Sequence, residues 1–178
     1  TYHARKVLIP NQEVKYEWRD HVLGLADYDP RASQFQQSVT DALYAQKFDI
    51  ATLETVMRDI LIKCSYHDLR TENSYHLFYF GIFIMACGAS RVSSNREAGY
   101  GRYDVQIALD KWKRLIIFEF KVSKDANDLE KDAKQGLKQI QEKEYHKDPK
   151  YVGWTCFAIG VSFFKKHMSK FEYEPLEG

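Results

Sequence analysis

Residues 97–122 read EAGYGRYDVQIALDKWKRLIIFEFKV. From Arg102 to Leu109 polar and apolar positions alternate, with Val105, Ile107 and Leu109 on one side and Asp104, Gln106 and Ala108 on the other. That two-residue period is the signature of a strand. The glycines of Glu97-Ala-Gly-Tyr-Gly suit a tight turn before it, and Asp110–Lys113 forms a charged turn after it. Leu115–Val122 is apolar on both faces, as a central strand covered by helices should be. Glu119 and Lys121 interrupt this run and, being two apart, share a face. Charges in so apolar a strand are costly to bury without partners. That cost marks them as candidates for chemistry.

Residues 1–30 carry turn signals at Pro10-Asn11 and Asp29-Pro30 with a short helix between them. They are expected to be an arm or linker from a preceding domain, with one domain over 31–178. The chain opens on Thr1, so the expectation is a fragment of a larger protein. Residues 33–46 have helical spacing, and 52–64 have it more cleanly, with Leu53, Val56, Met57, Ile60, Leu61 and Cys64 on one face and Thr52 as cap. Ser65–Asn73 reads as a polar loop. A third helix is expected from Glu72 to Cys87, ended by Gly88 and apolar nearly all round, hence central and buried. A short strand over Arg91–Asn95, the two strands above, a charged helix over 125–145 ended by Asp148-Pro149, a buried strand over Tyr151–Phe164 and an edge strand over Phe171–Tyr173 complete the order. This order predicts an α/β fold: a mixed central β-sheet flanked by helices, with further helices at its N-terminal side.

The 178 residues, 44% hydrophobic and 15% aromatic, suffice for one packed core. A net charge of +1 provides no global basic field, so contact with a polyanion needs a local patch. Cys64, Cys87 and Cys156 lie in apolar runs without C-x-x-C spacing and read as reduced core thiols of an intracellular, cytoplasmic protein. The longest apolar run, Leu77–Ala89, is shorter than the roughly 18 residues that suggest a membrane span.

Asp104 is followed after fourteen residues by Glu119-x-Lys121. Two carboxylates on adjacent strands can bind a hard divalent cation through oxygen. Such a cation stabilises charge on a phosphoryl oxygen and activates water. A lysine beside them offsets their repulsion and can orient the attacking water. The set suits phosphodiester hydrolysis. A plain Glu119–Lys121 surface ion pair is the simpler alternative, disfavoured by the apolar strand around it. Glu72 and His76 share a face of the third helix. Glu72 reads either as an acid suited to the helix start or as a group pointing at this site. Arg102, Lys111, Lys113, Arg114, Lys124, Lys165 and Lys166 are candidate phosphate contacts, and Trp112 a candidate base-stacking residue.

The segments IPNQEV, SYHDLRTENSYHLFYFGIF, SNREAGYGRYDVQIAL, LIIFEFKV and LKQIQEKEY together resemble the PD-(D/E)XK nuclease superfamily, in particular its branch found C-terminal to an AAA-ATPase-like domain. NREAGYGRYD followed by EFK is the most specific part. The resemblance implies a restriction-endonuclease-like core and a Mg²⁺- or Mn²⁺-dependent nuclease acting on nucleic acid, DNA ahead of RNA. It makes Asp104 and Glu119 metal ligands and Lys121 the catalytic lysine. Tyr103 stands where a proline often precedes the motif aspartate. Glu72 is the candidate for a supplementary ligand, and Glu97 its rival as a further catalytic acid. Gln139 is expected to steady the site or contact substrate, and Tyr145, with Arg102 and Lys124, to bind substrate. A catalytically inactive binding module and the nuclease domain of a toxin or effector remain open as alternatives.

Overall fold

The computed structural model describes residues 30–64, 69–95 and 97–177, without the side chains of 30–33, 97, 98 and 177. The expected arm over 1–30 lies outside the described residues apart from Pro30, as do residues 65–68 of the expected polar loop. Residues Gln36–Gly178 form one compact unit.

Among the described residues three helices come first: α1 (Pro30–Tyr44), α2 (Ile50–Lys63) and α3 (Glu72–Cys87). Asp49, not Thr52, caps α2: its carboxylate accepts from the Thr52 backbone N–H at 3.0 Å. An aspartate satisfies the orphan amides of the first turn and also suits the helix dipole. Thr71 and Ser74 form a capping box on α3, and Gly88, at φ 85°, ends it.

The strands are β1 (Val92–Ser94), β2 (Glu97–Ala98), β3 (Gly101–Arg102), β4 (Val105–Leu109), β5 (Arg114–Val122), β6 (Thr155–Phe164), β7 (His167–Met168) and β8 (Glu172–Glu177), with α4 (Leu129–Glu142) between β5 and β6. The main sheet runs β1-β4-β5-β6-β7, and β8 also pairs with β6. β1, β4 and β5 are an antiparallel meander, and β6 lies parallel to β5 after the α4 crossover. β7 and β8 add antiparallel edges. β2 and β3 make a separate ribbon. This is the mixed α/β sheet expected of a restriction-endonuclease-like core.

Several boundaries move. The strand read over Arg102–Leu109 is two pieces, Arg102 closing β3 and Val105 opening β4, with Tyr103 and Asp104 on the bend between them. β6 begins at Thr155 because Gly153, at φ 79°, turns the chain just before it. The crossover helix is Leu129–Glu142, shorter than the charged stretch that contains it. α3 is not buried all round: Leu77 and Met85 are 55% and 47% exposed. Only one side of α3 meets the sheet, where Tyr75 stacks on Phe163 at 4.5 Å and Phe83 on Phe118 at 5.1 Å.

Alternation divides β5 between two layers. Phe118 and Phe120 meet the aromatics of α3. Leu115 and Ile117 join Ile140, Tyr145, Cys156 and Ala158 beneath α4. Glu119 continues this second row. The approach of α4 depends on glycine. A Cβ on Gly160 of β6 would collide with the backbone of Ala133 and Leu137, and one on Gly136 would lie 3.1 Å from the Glu119 carbonyl oxygen. The helix backbone therefore rests directly on the strands, and Gln139, one turn beyond Gly136, comes over Glu119.

Cys64, Cys87 and Cys156 are free thiols, and burial pushes Cys87 and Cys156 up to about 12. Among the described residues no helix is long and apolar enough to cross a membrane.

Candidate active site

The β4–β5 ladder ends at Val105 opposite Phe118. At the next step the Asp104 carboxylate replaces a backbone carbonyl: its Oδ2 accepts from the Phe120 N–H at 2.7 Å. The Asp104 carbonyl in turn accepts from the Asn95 N–H at 3.3 Å. Asp104 is thereby held where the two strands diverge. Burial raises its pKa, against the Phe120 N–H and the Lys121 charge, which both lower it.

Glu119 is 2% exposed. Its Oε1 accepts from Lys121 Nζ at 2.8 Å and from Gln139 Nε2 at 2.5 Å. Its Oε2 is buried and has no hydrogen-bond partner. Burial first, and the neighbouring Asp104 charge second, push the Glu119 carboxyl up to about 7 despite Lys121. Burial alone would lower Lys121, but Glu119, Glu72 and Asp104 outweigh it and raise its pKa. Both members of the pair thus shift upward. Lys121 stays cationic, and Glu119 is the group that gives way to protonation.

Gln139 uses the same amide nitrogen toward the Tyr145 hydroxyl, at 3.3 Å. Tyr145 is 1% exposed and meets Tyr103 edge-on at 6.3 Å. It was expected to touch substrate. In the structure its hydroxyl accepts from Gln139. Glu72 opens α3 with an exposed side chain. Its carboxyl still senses the site: burial raises its pKa, Lys121 opposes and Asp104 adds. Among the described residues no group of three or more His, Cys, Asp or Glu is arranged to hold a metal ion. Asp104 and Glu119 lie together at the fork, and the Glu72 carboxyl at the start of α3 adds to the charge that raises Glu119. His76 is buried and bonded to Ser94 Oγ at 2.8 Å, a satisfied core histidine. The Glu97 backbone pairs with Arg102 across the β2–β3 ribbon, and its side chain is outside the described residues.

The basic candidates separate. Arg102 on β3 and Lys124 beyond β5 are exposed, as are Lys111, Lys113 and Lys165. Arg114 is buried, and its guanidinium donates to the carbonyls of Leu43, Ala45 and Gln46 at 2.7–3.0 Å. It closes the C-terminal end of α1 and is not available to a phosphate. Trp112 likewise donates its indole N–H to the Tyr44 carbonyl at 3.0 Å, and Lys111 Nζ lies 4.7 Å over its ring. The sequence does not reveal these contacts because the carbonyls lie some seventy residues earlier. Lys166 Nζ donates to the Ile62 carbonyl at 3.2 Å. Two contributions had no sequence signal: the Phe120 N–H that fixes Asp104, and the placing of α4, hinted at only by Gly136 and Gly160.

An antiparallel meander joined through a helix to a parallel strand, with two carboxylates at the fork and a lysine two residues beyond the second, defines a restriction-endonuclease-like nuclease fold. A family model described as the PD-(D/E)XK nuclease superfamily matches residues 70–173. The chain belongs to that superfamily. A search of curated proteins returned no match.

Proposed function

We propose that this domain is a Mg²⁺- or Mn²⁺-dependent nuclease that hydrolyses phosphodiester bonds, with Asp104, Glu119 and Lys121 as its catalytic set. The carrying observation is the partnerless Glu119 Oε2, buried close to Asp104 and Lys121. An unpaired carboxylate oxygen in a dry site is costly. Two carboxylates suit a hard cation that retains several waters. Asp104 and Glu119 would hold it. When bound, the ion neutralises charge on the phosphoryl group and lowers the pKa of water. Asp104 contributes a carboxylate whose direction the Phe120 N–H fixes. Gln139 fixes that of Glu119. Lys121, cationic beside Glu119, orients the attacking water and offsets charge on the phosphate. The exposed Arg102 and Lys124 supply phosphate contacts.

DNA is the substrate we put ahead of RNA, as the resemblance implies. The resemblance to the branch found C-terminal to an AAA-ATPase-like domain supports a parent chain with such a domain, and a Walker A motif there would bear this out. The free thiols agree with an intracellular setting. Incubation with plasmid, single-stranded DNA and RNA, with and without Mg²⁺ or Mn²⁺, tests the reading. Metal-dependent cleavage lost in Lys121→Ala supports it. Intact substrates under every condition would leave the inactive binding module.

A further inference from the structure

The β2–β3 ribbon carries a feature that the catalytic set does not use. Glu97 pairs with Arg102 and Ala98 with Gly101, so Gly99 and Tyr100 are a two-residue tip. Gly99 takes the first tip position at φ 52°, a conformation that favours glycine. This tip is pinned rather than free. The Tyr100 N–H donates to the Lys143 carbonyl at 2.9 Å. A Cβ on Gly99 would collide with the Lys143 and Glu144 carbonyls, and one on Gly101 would lie 2.9 Å from the Tyr145 hydroxyl. The ribbon's backbone is therefore flush against the turn that follows α4. Tyr100, by contrast, is 76% exposed, the most exposed large hydrophobic side chain among the described residues.

A single exposed tyrosine needs no explanation by itself. Its setting is what matters here. Gly101 lies against Tyr145, which bonds Gln139, which bonds Glu119, so the tip rests on the same short relay that holds the metal-binding carboxylate. An opening of about 340 Å³ is lined by Gly99, Tyr100, Gly101 and Arg102. It combines an aromatic face with an exposed arginine on a fixed backbone. A tyrosine ring presents a large face for little conformational entropy. Aromatic faces beside cations are how unpaired nucleobases and their phosphates are gripped.

We propose that Tyr100 is a stacking platform for one unpaired nucleobase of the substrate strand, with Arg102 on the adjoining phosphate. The inference rests on the nuclease reading and deepens it: the preferred substrate is single-stranded or locally opened nucleic acid. A stacked base beside the fork sets the strand in register with Asp104 and Glu119. A continuous duplex keeps its bases in the stack and cannot use the platform.

The test is binding of fluorescently labelled single-stranded and duplex oligonucleotides, without metal, to the domain carrying Lys121→Ala to prevent cleavage. Adding Tyr100→Ala should weaken single-strand binding roughly 5- to 100-fold, leave duplex binding unchanged, and leave the melting temperature unchanged because the ring is exposed. Adding Tyr100→Phe should retain binding. In a scan with one abasic site at a time, one position should reproduce the loss, and Tyr100→Ala should add nothing there. Equal binding by Tyr100→Ala, equal weakening toward both substrates, or no sensitive abasic position overturns the platform. Equal weakening would point to a structural or protein-docking role. Metal-dependent cleavage by the parent domain is measured separately. Cleavage with no Tyr100 effect rejects the platform alone, whereas absence of both cleavage and single-strand binding rejects the nuclease reading with it.

Discussion

Gln139 on α4 donates to Glu119 Oε1 on β5 at 2.5 Å, so the helix that closes the crossover also fixes the direction of the site's most buried carboxylate. The contact exists because Gly136 and Gly160 let the helix backbone lie on the strands. Helix packing and site geometry are one feature in this chain.

Replacing Gln139 with leucine keeps the volume but removes the donor. Residues that orient metal ligands typically contribute about 10- to 100-fold. Gln139→Leu should therefore fold normally and lose activity in that range, with a parallel fall in Mn²⁺ affinity by calorimetry. Tyr145→Phe, which removes only the 3.3 Å contact to Gln139, should lose less.

Gly160→Ala should act on the same contact from the other side. The added methyl meets the Ala133 and Leu137 backbone, so α4 must lift. Overpacking of this kind costs about 1–3 kcal/mol, readable in a urea melt, and activity should fall further than that stability loss explains. Unchanged stability would mean that the helix has slack that the close approach denies.

The carboxylates predict how the metal-free domain responds to pH. Glu119 ionises near 4.5 when unfolded and at about 7 when folded. Between these values the folded chain holds a proton that the unfolded chain releases, so stability falls as pH rises through the window and levels off above it. The cost is on the order of 3 kcal/mol at most. Melting curves from pH 4.5 to 8 should show the decline. Glu119→Gln should reduce it, and saturating Mg²⁺ should offset it above pH 7. A slope unchanged by Glu119→Gln would contradict the assignment.

Arg114 predicts a result opposite to its first reading. Its guanidinium serves three backbone carbonyls at the end of α1. Arg114→Met should destabilise the domain by about 2–3 kcal/mol through those unpaired carbonyls, while oligonucleotide affinity per folded molecule stays unchanged.

Arg114 also shows where sequence reasoning stops. Period-two alternation located β4, and the apolar character of Leu115–Val122 located β5 and placed Glu119 and Lys121 in a central strand, because those signals are local. The Glu72–Cys87 helix was legible in both boundaries for the same reason, its end from the terminating Gly88. Arg114 and Trp112 looked like surface groups because their partners are distant in sequence. Leu77 and Met85 were read as core because composition does not say which side of an apolar helix faces the sheet. The helix pattern puts Glu72 at the start of α3, but that position does not fix how close α3 comes to the fork. Asp104 sits on a bend rather than in a strand, since its side chain takes the hydrogen bond that a continuing strand would have made.

The central claim is that Asp104 and Glu119 work together through a divalent cation to cleave nucleic acid. The most direct measurement is cleavage of single-stranded and plasmid DNA by the domain and by Asp104→Asn, each with Mg²⁺, with Mn²⁺ and with chelator. The account predicts cleavage by the parent domain only when metal is present, and a loss of at least about 100-fold in Asp104→Asn. Cleavage that survives the chelator, or that Asp104→Asn leaves intact, would contradict it.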